Sequence, residues 1–230
     1  MPFYPVNLRI DKRLCLVIGG GGVALRKVKG LLEAMARIRI ISPVIEEELR
    51  LLVHKGKVEW LPREYVEGDL KGAFLVFAAT NIRDVQLRIQ KEAAKSSTIM
   101  LNSADDPEGS DFHVPAYFRR GKMLITISTG GGSPALAKKV REQLEKEIGP
   151  EYGAVVDLLA LIRERLLDGQ EEAAVHTALF RRLLLLGIVD LLLKENWFEL
   201  QMMLLRELPA EIDAVALVRQ FLEKYDGTTC

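Results

Sequence analysis

Short apolar runs alternate with amphipathic stretches through the first hundred residues. The runs at 14–19 (LCLVIG), 38–42 (IRIIS), 57–61 (KVEWL), 74–80 (FLVFAAT) and 98–103 (TIMLNS) are nearly continuous in aliphatic and β-branched residues, the pattern of strands buried on both faces. Between them, 23–36, 45–55 and 82–95 are rich in helix formers. This alternation predicts an α/β domain with a doubly wound parallel sheet over 1–112. A further strand at 123–129 (MLITIST) leads into a helix from Pro134 to about residue 147, with Ser133 as its N-cap and Pro134 at its first position. The two glycines and the proline of 147–153 stop that helix and mark a boundary, which sets off a strand-helix segment over 113–148.

From 149 to 230 the pattern is helical. Val155, Leu158, Leu159, Ile162 and Leu166 follow the i, i+3, i+4, i+7 spacing of a buried stripe, and Val215, Val218, Leu222 and Tyr225 repeat it. The piece from 179 to 205 is apolar almost all round. It reads as the centre of a helical bundle or as an oligomer contact, with the bundle favoured because the helix must be covered. The longest apolar run, LLLLGIV from Leu183, falls far short of the roughly 20 residues that span a bilayer. No signal-peptide core opens the chain, so a cytoplasmic protein with no membrane partner is expected.

Charge changes the picture. The chain is neutral overall, but residues 1–150 hold 24 Lys and Arg against 18 Asp and Glu, and 151–230 hold 8 against 14. No acid occurs from 112 to 141, where Arg119, Arg120, Lys122, Lys138, Lys139 and Arg141 all fall. Such a run is either a solvated face or a surface for an anionic ligand. Nothing points to nucleic acid. Cys15 lies inside the first strand and Cys230 ends the sequence, which gives neither a disulfide framework nor a metal-ligand spacing.

The chemistry-bearing stretch is CLVIGGGGVALRK. Gly19-x-Gly21-x-x-Ala24, placed after a strand and opening a helix, fits the dinucleotide fingerprint of a Rossmann-type domain. The first glycine makes the tight turn, the second admits a pyrophosphate, and the helix start supplies N–H donors. A glycine turn without a ligand is the competing reading. The second strand ends in Ser42-Pro43-Val44 where an acid often receives the ribose hydroxyls, and no arginine follows for a 2′-phosphate. Ser42 is left as a hydroxyl partner, and NAD is favoured over NADP.

At the predicted carboxyl edge, AATNIRD places Thr80 and Asn81 against the cofactor, or Asn81 as the cap of the next helix. LNSADDPEGSDFHVPAYF brings Asn102, Asp105, Asp106, Asp111 and His113 into one loop, where a general base is available; Asp-Asp-Pro is also a common solvated turn. STGGGSPALA puts a second glycine-rich turn at a helix start inside the acid-free stretch.

These pieces, in this order, resemble the precorrin-2 dehydrogenases, the N-terminal module of siroheme synthases. Residues 19–27 match the family's GGGxVAxRK opening, Ala78 to Asn81 its AAT(N/D) strand end, Asn102 to Asp105 its N-x-x-D loop, Phe112 to Ala116 its F-x-x-P-(A/S), and Ser128 to Ala137 its S-(S/T)-G-G-x-S-P-x-L-A apart from one glycine choice. The resemblance spans about 3–147.

It implies NAD-dependent oxidation of precorrin-2 to sirohydrochlorin, with Asp105 as the key catalytic residue and dinucleotide contacts at Gly22, Val23, Pro43 and Val44. Position 22, often acidic in relatives, is glycine here. Thr129 falls on a residue phosphorylated in some fused members. Residues 113–147 correspond to a dimer contact, so a homodimer is expected. Some members also insert Fe2+ into sirohydrochlorin, and the resemblance leaves that activity open, with His113 a chelatase candidate or a structural hydrogen-bonder. No resident metal site is expected. The substrate carries eight carboxylates, and the cation-rich stretch supplies Arg119, Arg120, Lys122 and Lys138, with Thr129, Ser133 and His113 nearby in sequence, as its expected contacts. No second α/β pattern follows, so a form without the methyltransferase module is expected. An unrelated NAD(P)-dependent dehydrogenase and a non-catalytic NAD-sensing module are the alternatives.

Overall fold

A computed structural model describes residues 3–167 and 173–226; Cys230 lies outside them. The chain divides into two compact units, one reaching Val114 and the other starting at Pro115.

The first unit is a five-stranded parallel sheet of β1 (Leu14–Ile18), β2 (Arg37–Ile41), β3 (Glu59–Leu61), β4 (Leu75–Ala78) and β5 (Met100–Ser103), in the order β3-β2-β1-β4-β5. The order reverses at β1, so the carboxyl ends of β1 and β4 flank a topological switch point, where open α/β sheets take their ligands. Alternate residues of β1 supply the two cores. Cys15 and Val17 pack with Ala24, Leu25, Val28 and Leu31 of α1 (Gly22–Glu33) and Leu49 of α2 (Glu47–His54). Leu14, Leu16 and Ile18 pack with Ile89 and Ala93 of α3 (Arg83–Ala93), together with Tyr65 and Leu70 of the β3–β4 connection. With both faces covered, β1 and β4 are buried at every position, which is why their sequences do not alternate.

Glu92 of α3 clasps the β3–β4 connection. Its carboxylate accepts from the Tyr65 hydroxyl and from the N–H groups of Gly68, at 2.9 Å, and Leu70, at 3.1 Å. Burial first, then the Glu92 carboxylate, pushes the Tyr65 phenol well above its usual range. Burial likewise pushes the Cys15 thiol up to about 11, so it stays protonated and inert.

The second unit opens with an antiparallel hairpin of β6 (Ala116–Arg120) and β7 (Met123–Ile127), in register from Ala116↔Ile127 to Arg120↔Met123. The loop places Gly121 at φ +55°, the left-handed region that a two-residue hairpin turn requires. Sequence patterning misses β6, because AYFRR carries two arginines and reads as part of the charge run; only Phe118 of the strand is buried. α4 (Pro134–Glu147) starts as expected, with the Ser133 hydroxyl accepting from Leu136 N–H at 3.2 Å.

Five helices follow among the described residues: α5 (Glu151–Leu167), α6 (Ala173–Leu185), α7 (Ile188–Leu193), α8 (Trp197–Glu207) and α9 (Ala214–Asp226). The stop at 148–150 separates α4 from α5 but does not divide the compact units. Gly153 of α5 lies against the hairpin backbone, where a Cβ would press on the Arg120 carbonyl.

The all-round apolar stretch is three helices rather than one. Gly187 (φ +82°) and Glu195 (φ +51°) break it, so that Leu183, Ile188, Leu192, Leu200 and Leu204 turn into the bundle core while Leu185 and Phe198 stay 88% and 71% exposed. In α9 the inward stripe is Ala214, Leu217, Val218 and Phe221; Val215, expected inside, is exposed. No helix among the described residues is long and apolar enough to cross a membrane.

Candidate active site

The four glycines do four different things. Gly19 sits at φ +124°, where a Cβ would overlap the Ala79 carbonyl at the end of β4. Gly20 packs against the β2–α2 loop, where a Cβ would overlap the Val44 carbonyl oxygen, and its own carbonyl accepts from Glu46 N–H at 2.9 Å. Gly21 is the N-cap of α1, and a Cβ there would meet no atom within 4 Å. Gly22 opens the helix, and Ala24 is fully buried where α1 rests on the sheet. The close-approach role expected of Gly21 alone is thus divided: Gly20 meets the protein, and Gly21 faces open space.

That space suits a diphosphate. α1 has no side-chain cap and no acid in its own first turn, so none of its side chains occupies its leading N–H groups. The fingerprint residues fit a dinucleotide on the geometry of the turn itself.

The ribose edge differs from the expectation. Ser42 is buried and its hydroxyl donates to Val44 O at 2.6 Å, while its carbonyl accepts from Trp60 Nε1 at 2.9 Å. The Ser42 proton is therefore committed to shaping the turn that exposes Pro43 and Val44. A carboxylate stands nearby after all. Glu46, two residues beyond Val44, places Oε1 3.5 Å from where a Gly22 Cβ would be. Sequence reading missed it by looking only at the strand end.

At the carboxyl end of β4, the Thr80 hydroxyl accepts from Ile82 N–H at 3.2 Å. The residue preceding α3 is Ile82 and no side chain caps that helix, so the capping role considered for Asn81 does not occur. At the end of β5, Asn102 is buried and held at both ends: Lys27 Nζ donates to its Oδ1 at 3.0 Å, and its Nδ2 donates to Phe112 O at 2.9 Å. Burial first, then the neighbouring Arg26 charge, lowers the Lys27 ammonium to about 8. Lys27 also lies 5.2 Å from the Phe77 ring centroid.

The Asp loop is tied to α3. Gln86 Nε2 donates to Asp105 Oδ2 at 2.9 Å and to Thr80 O at 2.6 Å, and Gln90 Nε2 donates to Asp106 Oδ2 at 2.8 Å. Asp106 is held below the usual carboxylate range by Gly109 N–H first and by Gln90 next. Asp111 accepts from Leu101 N–H at 2.8 Å and closes the loop onto β5. Asp105 and Asp111 are both exposed, but Asp111 is engaged by Leu101 N–H, whereas Asp105 keeps its second oxygen open to a ligand. His113 is half-buried, its Nε2 3.3 Å from Pro107 O and its ring 4.5 Å from that of Phe3. Among the described residues, no group of three His, Cys, Asp or Glu gathers to hold a metal ion.

In the second unit the expected anion contacts separate. Arg120 is committed internally: its Nε and Nη2 donate to Ile148 O at 2.8 Å and Glu145 O at 2.7 Å, satisfying carbonyls at the end of α4. Lys122 pairs with Asp157 at 3.1 Å. Arg119 is exposed, and Lys138 makes only a long 3.9 Å pair with Glu142. The Thr129 hydroxyl accepts from Ser133 N–H at 3.1 Å, so Thr129 and Ser133 both shape the start of α4.

Sheet order, glycine turn and open helix start define an NAD(P)-binding protein of the Rossmann class, and a family model described as "NAD(P)-binding" matches residues 6–116. A second, "Sirohaem biosynthesis protein central", matches 120–147. The chain is thus similar, over these two stretches, to NAD(P)-binding and sirohaem biosynthesis proteins. It is 37% identical over 165 residues to siroheme synthase 3 of Aeromonas hydrophila, covering 72% of this chain and 35% of that protein. Siroheme synthases of Thioalkalivibrio sulfidiphilus and Pseudomonas aeruginosa are 35% and 38% identical over 184 and 168 residues, covering 80% and 73% of this chain and 37% and 36% of theirs. The chain thus spans about a third of the length of these curated relatives. A solved structure titled "SirC, precorrin-2 dehydrogenase" superposes with a TM-score of 0.69 at 25% identity, covering 98% of this chain and 100% of that one.

Proposed function

We propose that the protein oxidises precorrin-2 to sirohydrochlorin with NAD+ in the cytoplasm. The observation that carries this reading is the carboxyl edge of the first unit, where the open turn at Gly21 and the exposed, Gln86-held Asp105 belong to the same sheet edge. The matches to the NAD(P)-binding and sirohaem biosynthesis models and the likeness to a precorrin-2 dehydrogenase support it.

When bound, the nicotinamide supplies the hydride acceptor. The leading N–H groups of α1 at Gly22 and Val23 hold the diphosphate, beside the loop of Pro43 and Val44. The Glu46 carboxylate accepts from ribose hydroxyls and opposes a 2′-phosphate, which favours NAD over NADP. Asp105 orients the macrocycle and receives the proton released from the ring carbon, passing it to solvent through its exposed oxygen. The exposed Arg119 and Lys138 are cations of the kind a polycarboxylate requires.

The β6–β7 hairpin leaves two strand edges without a partner in its own sheet, which supports a homodimer in which a second copy covers them.

The test is anaerobic incubation with precorrin-2 and NAD+, following the tetrapyrrole spectrum and NADH absorbance. Joint appearance of sirohydrochlorin and NADH is expected. NAD+ binding with neither product overturns the precorrin-2 reading and leaves an unrelated dehydrogenase or a nucleotide-sensing module. Fe2+ added after completion reads the chelatase activity against a protein-free control, and Asp105→Ala is expected to lose dehydrogenation.

A further inference from the structure

Gln86 is the buried polar side chain that α3 turns toward the Asp105 loop, and it is only 8% exposed. A buried amide must find hydrogen-bond partners, and the two that its Nε2 finds are informative. One is the Thr80 carbonyl, at 2.6 Å, in the segment where β4 ends beside Gly19. The other is Asp105 Oδ2, at 2.9 Å, beyond the end of β5. One nitrogen therefore links the strand end that backs the cofactor turn to the acid placed next to the substrate.

We propose that Gln86 is a positioning residue for the dehydrogenation, one that fixes the rotamer of Asp105 relative to the cofactor edge. The inference rests on the assignment of Asp105 made above.

The physical argument has three parts. Asp105 is exposed, so packing does not hold its carboxylate, and without a tether it would populate several rotamers. The tether is an N–H donor at 2.9 Å, a directed bond that holds one carboxylate oxygen in place. The donor side is itself anchored, because Gln86 N–H bonds Ile82 O at 3.1 Å within the first turn of α3 and its side chain is closed off from solvent. Misplacing a catalytic group by about 1 Å is enough to cost on the order of a hundredfold in rate. A glutamate at 86 would keep the shape but set a second carboxylate against Asp105, and paired carboxylates raise the pKa of one of them.

The experiment compares wild type, Asp105→Asn, Gln86→Leu and Gln86→Glu in anaerobic precorrin-2 oxidation, with kcat and KM for NAD+ measured across pH and thermal unfolding recorded for each. Expected are loss of activity in Asp105→Asn, a fall in kcat of about tenfold or more in Gln86→Leu with KM for NAD+ within about twofold, and an acid limb of the kcat profile moved upward by about one pH unit or more in Gln86→Glu. If Asp105→Asn is inactive while both Gln86 variants keep the wild-type kcat and pH profile, the positioning role is overturned and Asp105 stands. If Asp105→Asn retains wild-type oxidation, the assignment of Asp105 falls and the role of Gln86 with it. Gln86→Glu preserves volume while replacing the donor by a carboxylate, so the pH profile decides the matter even where Gln86→Leu does not fold.

Discussion

Lys27 places its ammonium 3.0 Å from the side-chain oxygen of Asn102, and among the described residues it forms no ion pair with a carboxylate. A half-buried cation with a neutral partner is unusual, since burial penalises the charged form unless something compensates. The compensation here is one amide oxygen and the face of Phe77.

That arrangement makes stability depend on alkaline pH. The Lys27 ammonium is lowered to about 8 in the fold, below the roughly 10.4 of an unfolded lysine, so between those values the unfolded chain binds more protons and stability rises with pH. Below pH 8 both states are protonated and the contribution is flat. Urea unfolding at pH 7.5 and 9.5 is expected to show a larger gain for wild type than for Lys27→Met. Equal gains in the two proteins refute it.

The glycine turn separates folding from cofactor binding. A Cβ at Gly20 would collide with the Val44 carbonyl, so Gly20→Ala is expected to lower stability by about 2–3 kcal/mol or to prevent folding. Gly21→Ala meets no atom of the protein and is expected to cost no more than about 1 kcal/mol, the price of a poorer N-cap, while weakening NAD+ binding about tenfold or more. Thermal melts with NAD+ titration by calorimetry measure both. A Gly21→Ala protein with wild-type NAD+ affinity contradicts the placement of the diphosphate.

Glu46 is the acidic group beside the turn. Replacing it with glutamine removes a like charge from the side of a 2′-phosphate, and the ratio of NADP+ to NAD+ affinity is expected to rise about five- to tenfold at low salt. An unchanged ratio moves the ribose elsewhere.

Ser103 ends β5 opposite Ala78, and its hydroxyl is buried without a hydrogen-bond partner among the described residues. An unsatisfied buried hydroxyl costs about 1–3 kcal/mol, so Ser103→Ala is expected to leave stability unchanged or raise it by about 1 kcal/mol, read from the urea midpoint. A loss above about 1 kcal/mol shows that the hydroxyl contributes to the fold.

The parallel sheet was legible because its strands are apolar at consecutive positions, and the start of α4 because Ser133-Pro134 carries its cap in the sequence. β6 was hidden by its arginines, whose structural role is visible only once Arg120 is seen reaching the carbonyls of Glu145 and Ile148. At the site, the fingerprint glycines and Asp105 were readable from local spacing. Lys27, Glu46 and Gln86 were not, for a common reason. Each acts on a residue distant in sequence, 75 residues away for Lys27 and 19 for Gln86, and an amide or ammonium on a helix face carries no local mark of what it will meet. A polar side chain at an inward position of α3 was the available signal for Gln86: it shares the helix face of Ile89 and Ala93.

Gln86 and Gln90 hold Asp105 and Asp106, so two neighbouring acids of a loop are gripped by two successive turns of one helix. Four residues of helix advance about 6 Å against the roughly 3.8 Å between consecutive Cα atoms, and α3 thereby sets two fixed attachment points for the loop. The same helix ends on the Glu92 clasp around Tyr65, Gly68 and Leu70. Removing one residue from α3 between Gln86 and Glu92 would turn everything beyond it by about 100°, so the acid loop and the β3–β4 connection could not both stay attached. The length of α3 is therefore as much a part of the site as any side chain in it.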